Sequence, residues 1–135
     1  MMFQNIYPLM KPGLGHSIVN VSSTLGLRPI ENVSAYCATK AAMISWTETM
    51  ALELGAQNIR VNCVAPGLVD TPIHPFHSQA PEKKQQSLEK LAPMQPLGRV
   101  GTAEEIARSI YFLASEDSAW TTGATLSVDG GINLK

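Results

Sequence analysis

Apolar positions along the chain change period from segment to segment. Ser17–Val21 (SIVNV) and Ile59–Ala65 (IRVNCVA) are short β-branched runs and predict strands. Pro66-Gly67 ends the second of these. Thr125–Val128 predicts a third strand, turned by Asp129-Gly130-Gly131. Between the first two lies a long helical stretch from Ser34 to about Leu54, which Gly55 is expected to close. Met43, Trp46 and Met50 recur along it at three and four residues, a core-facing stripe. Ala42, Ser45 and Thr49 form a small-residue stripe on a neighbouring face. Thr102 followed three residues later by Glu105 is a capping-box pattern and predicts a helix to about Ala114. The first ten residues read as the tail of a helix, ended by Lys11-Pro12-Gly13. A polar loop, Ser22–Val33, contains Gly26 and Pro29.

Thr71–Pro96 differs in kind. It carries Pro72, Pro75, Pro81, Pro93 and Pro96 and one charged helical patch, Pro81–Leu91. That pattern is expected of a mobile flap over the body of the fold, not of a core element.

Strand, helix, strand, helix, strand is an α/β pattern with parallel strands. Three strands make a thin sheet, and a parallel sheet needs helices on both faces. The 135 residues are therefore expected to form one partial domain of a larger sheet. A hydrophobic fraction of 44% with 16% charged residues excludes a disordered chain. A net charge of -1 gives no basic excess for nucleic acid. No apolar run approaches the roughly 18 residues of a membrane span, and no signal peptide is expected from Met1–Gly13. Two cysteines, Cys37 and Cys63, are too few for a disulfide scaffold or a zinc site, so a reducing cytoplasmic compartment is the default. His16, His74 and His77 show no metal-ligand pattern.

The focal chemistry is Tyr36-Cys37-Ala38-Thr39-Lys40. Tyr36 and Lys40 are four apart on a predicted helix and share a face. An ammonium near a phenol favours the phenolate and makes the tyrosine a usable general acid or base. The plain alternative is a surface aromatic beside a surface lysine. Ser22-Ser23 follows the SIVNV strand, and in open α/β sheets the carboxyl ends of strands line the ligand crevice. Ser23 is thus placed to donate to a substrate oxygen, its alternative being a loop serine that satisfies backbone groups. Pro66-Gly67-Leu68-Val69-Asp70-Thr71 follows the next strand. Gly67 allows close approach to the backbone and Thr71 offers a hydroxyl; the alternative is a plain strand-ending turn. Phe76 and His77 are candidate pocket residues on the flap.

Five motifs then stand in order: Ile18–Ser23, Tyr36–Lys40, Ile59–Gly67, Leu97–Gly101 with Glu104–Ala107, and Val128–Gly131. Together they resemble the C-terminal half of a short-chain dehydrogenase/reductase, the group that includes ketoacyl reductases. The resemblance covers about Tyr7 to the C-terminus. It implies the C-terminal part of a doubly wound Rossmann-type parallel sheet. It implies an NAD(P)-dependent oxidoreductase that moves a hydride between the nicotinamide and a small carbonyl or secondary alcohol. Tyr36 resembles the family's proton donor, Lys40 the group that lowers its pKa and holds the nicotinamide ribose, and Ser23 the residue that orients the substrate oxygen. Pro66, Gly67, Val69 and Thr71 resemble the clamp on the nicotinamide ring and its carboxamide. The flap resembles the family's substrate loop. The long helix resembles one through which such enzymes pair, so a homo-oligomer is expected. The glycine-rich phosphate turn and the Asn-Asn-Ala-Gly segment have no counterpart in these residues, and NAD is not distinguished from NADP. The 135 residues by themselves are expected to be inactive, and the competing expectation is a catalytically inactive truncated fragment or interaction remnant of such an enzyme.

Overall fold

The computed structural model describes residues 2–10 and 13–135. Three parallel strands form the sheet: β1 (His16–Val21), β2 (Ile59–Pro66) and β5 (Thr125–Val128), in the order β1-β2-β5. β1 pairs with β2 from His16↔Ile59 to Val21↔Val64, and β2 with β5 from Cys63↔Thr125 to Pro66↔Val128. Parallel neighbours need crossover connections, and helices provide both. α2 (Ser34–Leu54) joins β1 to β2; α4 (Ala103–Ala114) lies between β2 and β5. A short α1 (Met2–Ile6) precedes them and runs into a single tight turn at Tyr7–Leu9. The stop expected at Lys11-Pro12 lies outside the described residues. The α/β class and the parallel sheet are as the pattern predicts.

β2 is central and buried on both faces. Ile59, Val61, Asn62, Cys63, Val64 and Ala65 are all within 1% of full burial. This explains its nearly unbroken apolar run, since helices cover a parallel strand from both sides. On one face Ile59 and Val61 meet Met50, Ala51 and Leu54 of α2, with Phe3, Tyr7, Met10, Ile18 and Trp46 packed around them. Phe3 stacks on Tyr7 at 5.3 Å and meets the edge of Trp46 at 5.4 Å. On the other face Arg60 reaches the end of α4. Its guanidinium donates to the carbonyls of Leu113, Ala114 and Ser115, which have no partner inside the helix. Asn62, fully buried, accepts from the Ala124 N–H and donates to the Thr121 carbonyl, so the turn before β5 is bonded to the middle strand.

α2 ends at Leu54 with Gly55 as its C-cap, as expected, but Gly55 stays in the right-handed region (φ -56) and leads into one tight turn, Gly55–Gln57. The chain reverses at Asn58, which takes the left-handed conformation at φ 59. Asparagine tolerates that region better than other side chains do. In addition, two two-residue strands not anticipated from the pattern, β3 (Val69–Asp70) and β4 (Gly101–Thr102), pair in parallel as Val69↔Gly101 and Asp70↔Thr102. They bracket the proline-rich segment. Within it the charged patch forms α3 (Pro81–Leu91), which buries none of its side chains. The capping box forms as expected: Thr102 Oγ1 accepts from the Glu105 N–H, and the Glu105 carboxylate accepts from the Thr102 N–H. No helix among the described residues is long and apolar enough to cross a membrane.

Candidate active site

Ser22, Ser23 and Thr24 leave the carboxyl end of β1 and are all buried. The Ser22 hydroxyl donates to the Lys40 carbonyl at 2.7 Å, which ties this loop to the second turn of α2. Behind it Gly26 lies directly on the helix backbone. A Cβ there would sit 2.7 Å from the Lys40 carbonyl carbon, closer than real contacts allow. Glycine is required at this position because two backbones touch. Ser23 Oγ accepts the Leu25 N–H at 3.2 Å. That uses one lone pair and leaves the O–H to donate elsewhere.

Tyr36 and Lys40 occupy the first turns of α2, as the four-residue spacing predicts. Lys40 Nζ lies 5.6 Å from the centre of the Tyr36 ring. The same ammonium donates to the Val21 carbonyl at the end of β1, at 3.1 Å. It keeps two further N–H donors. Tyr36 is exposed at 41%, whereas Ser23 is 8% exposed. Of the expected core stripe Met50 is buried and Met43 and Trp46 are half-buried; Cys37, Thr47, Ala51 and Leu54 complete the buried face, while Ala42, Ser45 and Thr49 are exposed.

The turn after β2 sits beside this end of the sheet. Gly67 N–H donates to the Val128 carbonyl. A Cβ on Gly67 would fall 2.7 Å from Asp129 Cα. The close approach that glycine permits here is therefore made by the Asp129 backbone. Pro66 and Thr71 are half-buried, whereas Val69 is buried at the β3–β4 pair. Asp129, in turn, accepts from the Gly131 and Asn133 N–H groups and shapes the C-terminal turn.

The flap residues divide. Phe76 is buried, with His74 stacked on it at 5.0 Å. His77 Nδ1 meets Asp70 Oδ1 at 2.8 Å, and Lys84 Nζ meets Asp70 Oδ2 at 2.6 Å. Lys84, then His77, hold the Asp70 carboxyl below the usual carboxylate range. Asp70 and Lys84 carried no sequence signal as a pair, because they are joined only once the flap folds back on β3. Beside β4, Arg99 grips Glu105 through both carboxylate oxygens, at 2.9 and 2.5 Å. That pair, with the Thr102 N–H, pulls the Glu105 carboxyl down to about 2. Burial pushes the Cys63 thiol up. Two cavities, of about 100 and about 310 Å3, flank the β3–β4 pair; neither is lined by Ser23, Tyr36 or Lys40. No cluster of metal-ligating side chains exists among the described residues.

The donor set suits the nicotinamide half of a dinucleotide. Lys40 has spare ammonium donors, Tyr36 is exposed and Thr71 is half-buried, all at or after the carboxyl ends of β1 and β2. A family model described as enoyl-(acyl carrier protein) reductase matches residues 1–133. The 3-oxoacyl-[acyl-carrier-protein] reductase FabG of Chlamydia muridarum is 45% identical over 127 residues, 94% of this chain and 48% of that protein. Among solved structures, a 4-hydroxyisoleucine dehydrogenase complexed with NADH superposes with a TM-score of 0.75 at 32% identity. It covers 88% of this chain and 47% of its own. A blue fluorescent protein from a metagenomic library, in complex with NADPH, gives a TM-score of 0.81 at 33% identity, over 96% of this chain and 49% of its own. The chain belongs to the short-chain dehydrogenase/reductase family, with a Rossmann-like fold. It spans about half the length of the curated relatives it matches.

Proposed function

We propose that this chain carries the acid/base half of an NAD(P)-dependent oxidoreductase acting on a small carbonyl or secondary alcohol. The observation that carries this reading is the placement of Lys40. One ammonium is fixed to the end of β1 and faces the ring of an exposed tyrosine one helical turn away. In reduction, Tyr36 Oη gives its proton to the substrate oxygen, and in oxidation it takes one. Lys40 stabilises the negative charge that develops on Tyr36 Oη when that oxygen gives up its proton. The Ser23 hydroxyl donates to the same substrate oxygen and orients it. A nicotinamide, when bound, supplies or accepts the hydride. Tyr36 and Lys40 would hold its ribose; Pro66, Gly67, Val69 and Thr71 would hold the ring and carboxamide. The similarity to proteins complexed with NADH and with NADPH supports the class of cofactor. Two free, buried cysteines fit a reducing cytoplasmic compartment.

Tyr36→Phe is the direct test. In a protein that joins this chain to the N-terminal half of a matching relative, turnover of a 3-oxoacyl thioester with NADH or NADPH should fall by about 100-fold or more while the circular dichroism spectrum stays unchanged. Near-normal turnover by the variant would remove Tyr36 as the proton donor. The family description supports a second reading, reduction of a carbon–carbon double bond. A trans-2-enoyl thioester offered beside the 3-oxoacyl thioester separates the two: preference for the enoyl substrate favours the second.

A further inference from the structure

The flap leaves the body after β3 and returns before β4, and in between α3 buries no side chain. Leu88 and Leu91 are half-buried, so apolar contact holds α3 only in part. Among the described residues, its side-chain ion pair to the body is Lys84 with Asp70. The other side-chain hydrogen bonds of α3 stay within the segment, Gln85 with Glu89 and Ser87 with Gln79. Asp70 uses both carboxylate oxygens. Oδ2 takes Lys84 from α3 and Oδ1 takes His77 from the turn Pro75–Ser78. The carboxylate itself stands on a fixed strand, since Asp70 is paired with Thr102, the N-cap of α4. A cavity of about 310 Å3 lies between Asp70 and the face of α3 that carries Gln85, Leu88 and Glu89. Across that space, among the described residues, Lys84 with Asp70 is the ion pair that joins the helix to β3.

We propose that Asp70 is a positioning residue, whose carboxylate registers the flap against β3 and, through the adjoining Thr71, against the turn assigned to the nicotinamide. The second half of that statement rests on the function proposed above; the first half stands on the geometry alone. Lys84 and His77 both favour the ionised carboxyl, so the tie is charged throughout the neutral range.

The test has two arms. Amide hydrogen exchange of residues 81–91, read without cofactor, compares the unsubstituted chain with Asp70→Ala, with the pair His77→Gln and Lys84→Met, and with all three changes together. Asp70→Ala should speed exchange about three- to tenfold, the range open to two partly exposed polar contacts. The paired variant should reproduce that effect, and the triple variant should add nothing to it. Exchange unchanged by Asp70→Ala, or effects that simply add in the triple variant, overturns the tie. Should Asp70→Ala fail to fold, the paired variant carries the measurement, and unchanged exchange in it is equally fatal. In the second arm, turnover of the 3-oxoacyl thioester by the joined protein should show KM raised about threefold in Asp70→Ala with kcat changed less than twofold, and Asp70→Glu should restore part of the loss. An unaltered KM alongside a loosened α3 overturns the positioning role. Absence of turnover in the unsubstituted protein counts against the nicotinamide reading alone, because the exchange arm needs no cofactor.

Discussion

β2 and α3 are held by opposite means. β2 has six residues within 1% of full burial, whereas α3 has no buried residue. The strand is fixed by apolar contact on both faces and by ladders on both edges. The helix is fixed by a carboxylate at its first turns. At the far end of its segment, the Leu97 N–H donates to the Gly130 carbonyl and Lys135 Nζ to the Pro93 carbonyl. The difference matters for the site proposed above, which would both hold chemistry still and admit a substrate. Ser23, Tyr36 and Lys40 hang from the buried body, where displacing any of them means disturbing packed backbone. The flap can shift at the cost of a few polar contacts, each worth little in water.

The largest effect that sharpens this comparison is in the core. Ile59→Ala should cost about 2–5 kcal/mol in urea denaturation, through lost burial and the cavity left behind. Leu88→Ala on α3 should cost less than about 1 kcal/mol, since its side chain is only partly covered. Equal losses at the two sites would erase the distinction between body and flap. A smaller effect of opposite sign is expected at Gly55. Its backbone is right-handed and a Cβ there would meet nothing within 4 Å. Gly55→Ala should raise stability by up to about 1 kcal/mol. Destabilisation would mean that Gly55 and not Asn58 makes the left-handed turn.

The smallest effect is electrostatic. Glu105, beside the flap's return, has its carboxyl lowered from 4.5 to about 2 by Arg99 and then by the Thr102 N–H. A carboxyl depressed by folding contributes stability that is fully present above its unfolded value. That contribution fades as pH falls from about 4.5 towards about 2. The urea midpoint should therefore drop over that window, and Glu105→Gln should flatten the drop. The same pH slope in the variant would show that the pair contributes nothing measurable, as many exposed ion pairs do.

Much of this was legible in the chain because it is local. The β-branched runs at Ser17–Val21 and Thr125–Val128, the capping box at Thr102 and Glu105, and the charged patch Pro81–Leu91 each depend on dihedral preference and spacing within a few residues. The Tyr36–Lys40 face follows from helical periodicity alone. Gly55 marks the end of α2, but the left-handed turn falls three residues on at Asn58, because Gly55 keeps right-handed backbone.

The sequence by itself determined the α/β order, the boundaries of most elements and the shared face of Tyr36 and Lys40, since each is written within one or two turns of backbone. Only the tertiary structure decided what those residues touch. Lys40 reaches the Val21 carbonyl because α2 packs back over the end of β1, 19 positions away in the chain. Gly26 must be glycine because that packing presses its loop onto the helix, and Gly67 because β5 places Asp129 against it. Asp70 gains His77 and Lys84 when the flap folds onto a strand of two residues, too short to leave a pattern. Sheet register and helix docking set such contacts, and they join residues whose separation carries no periodic trace.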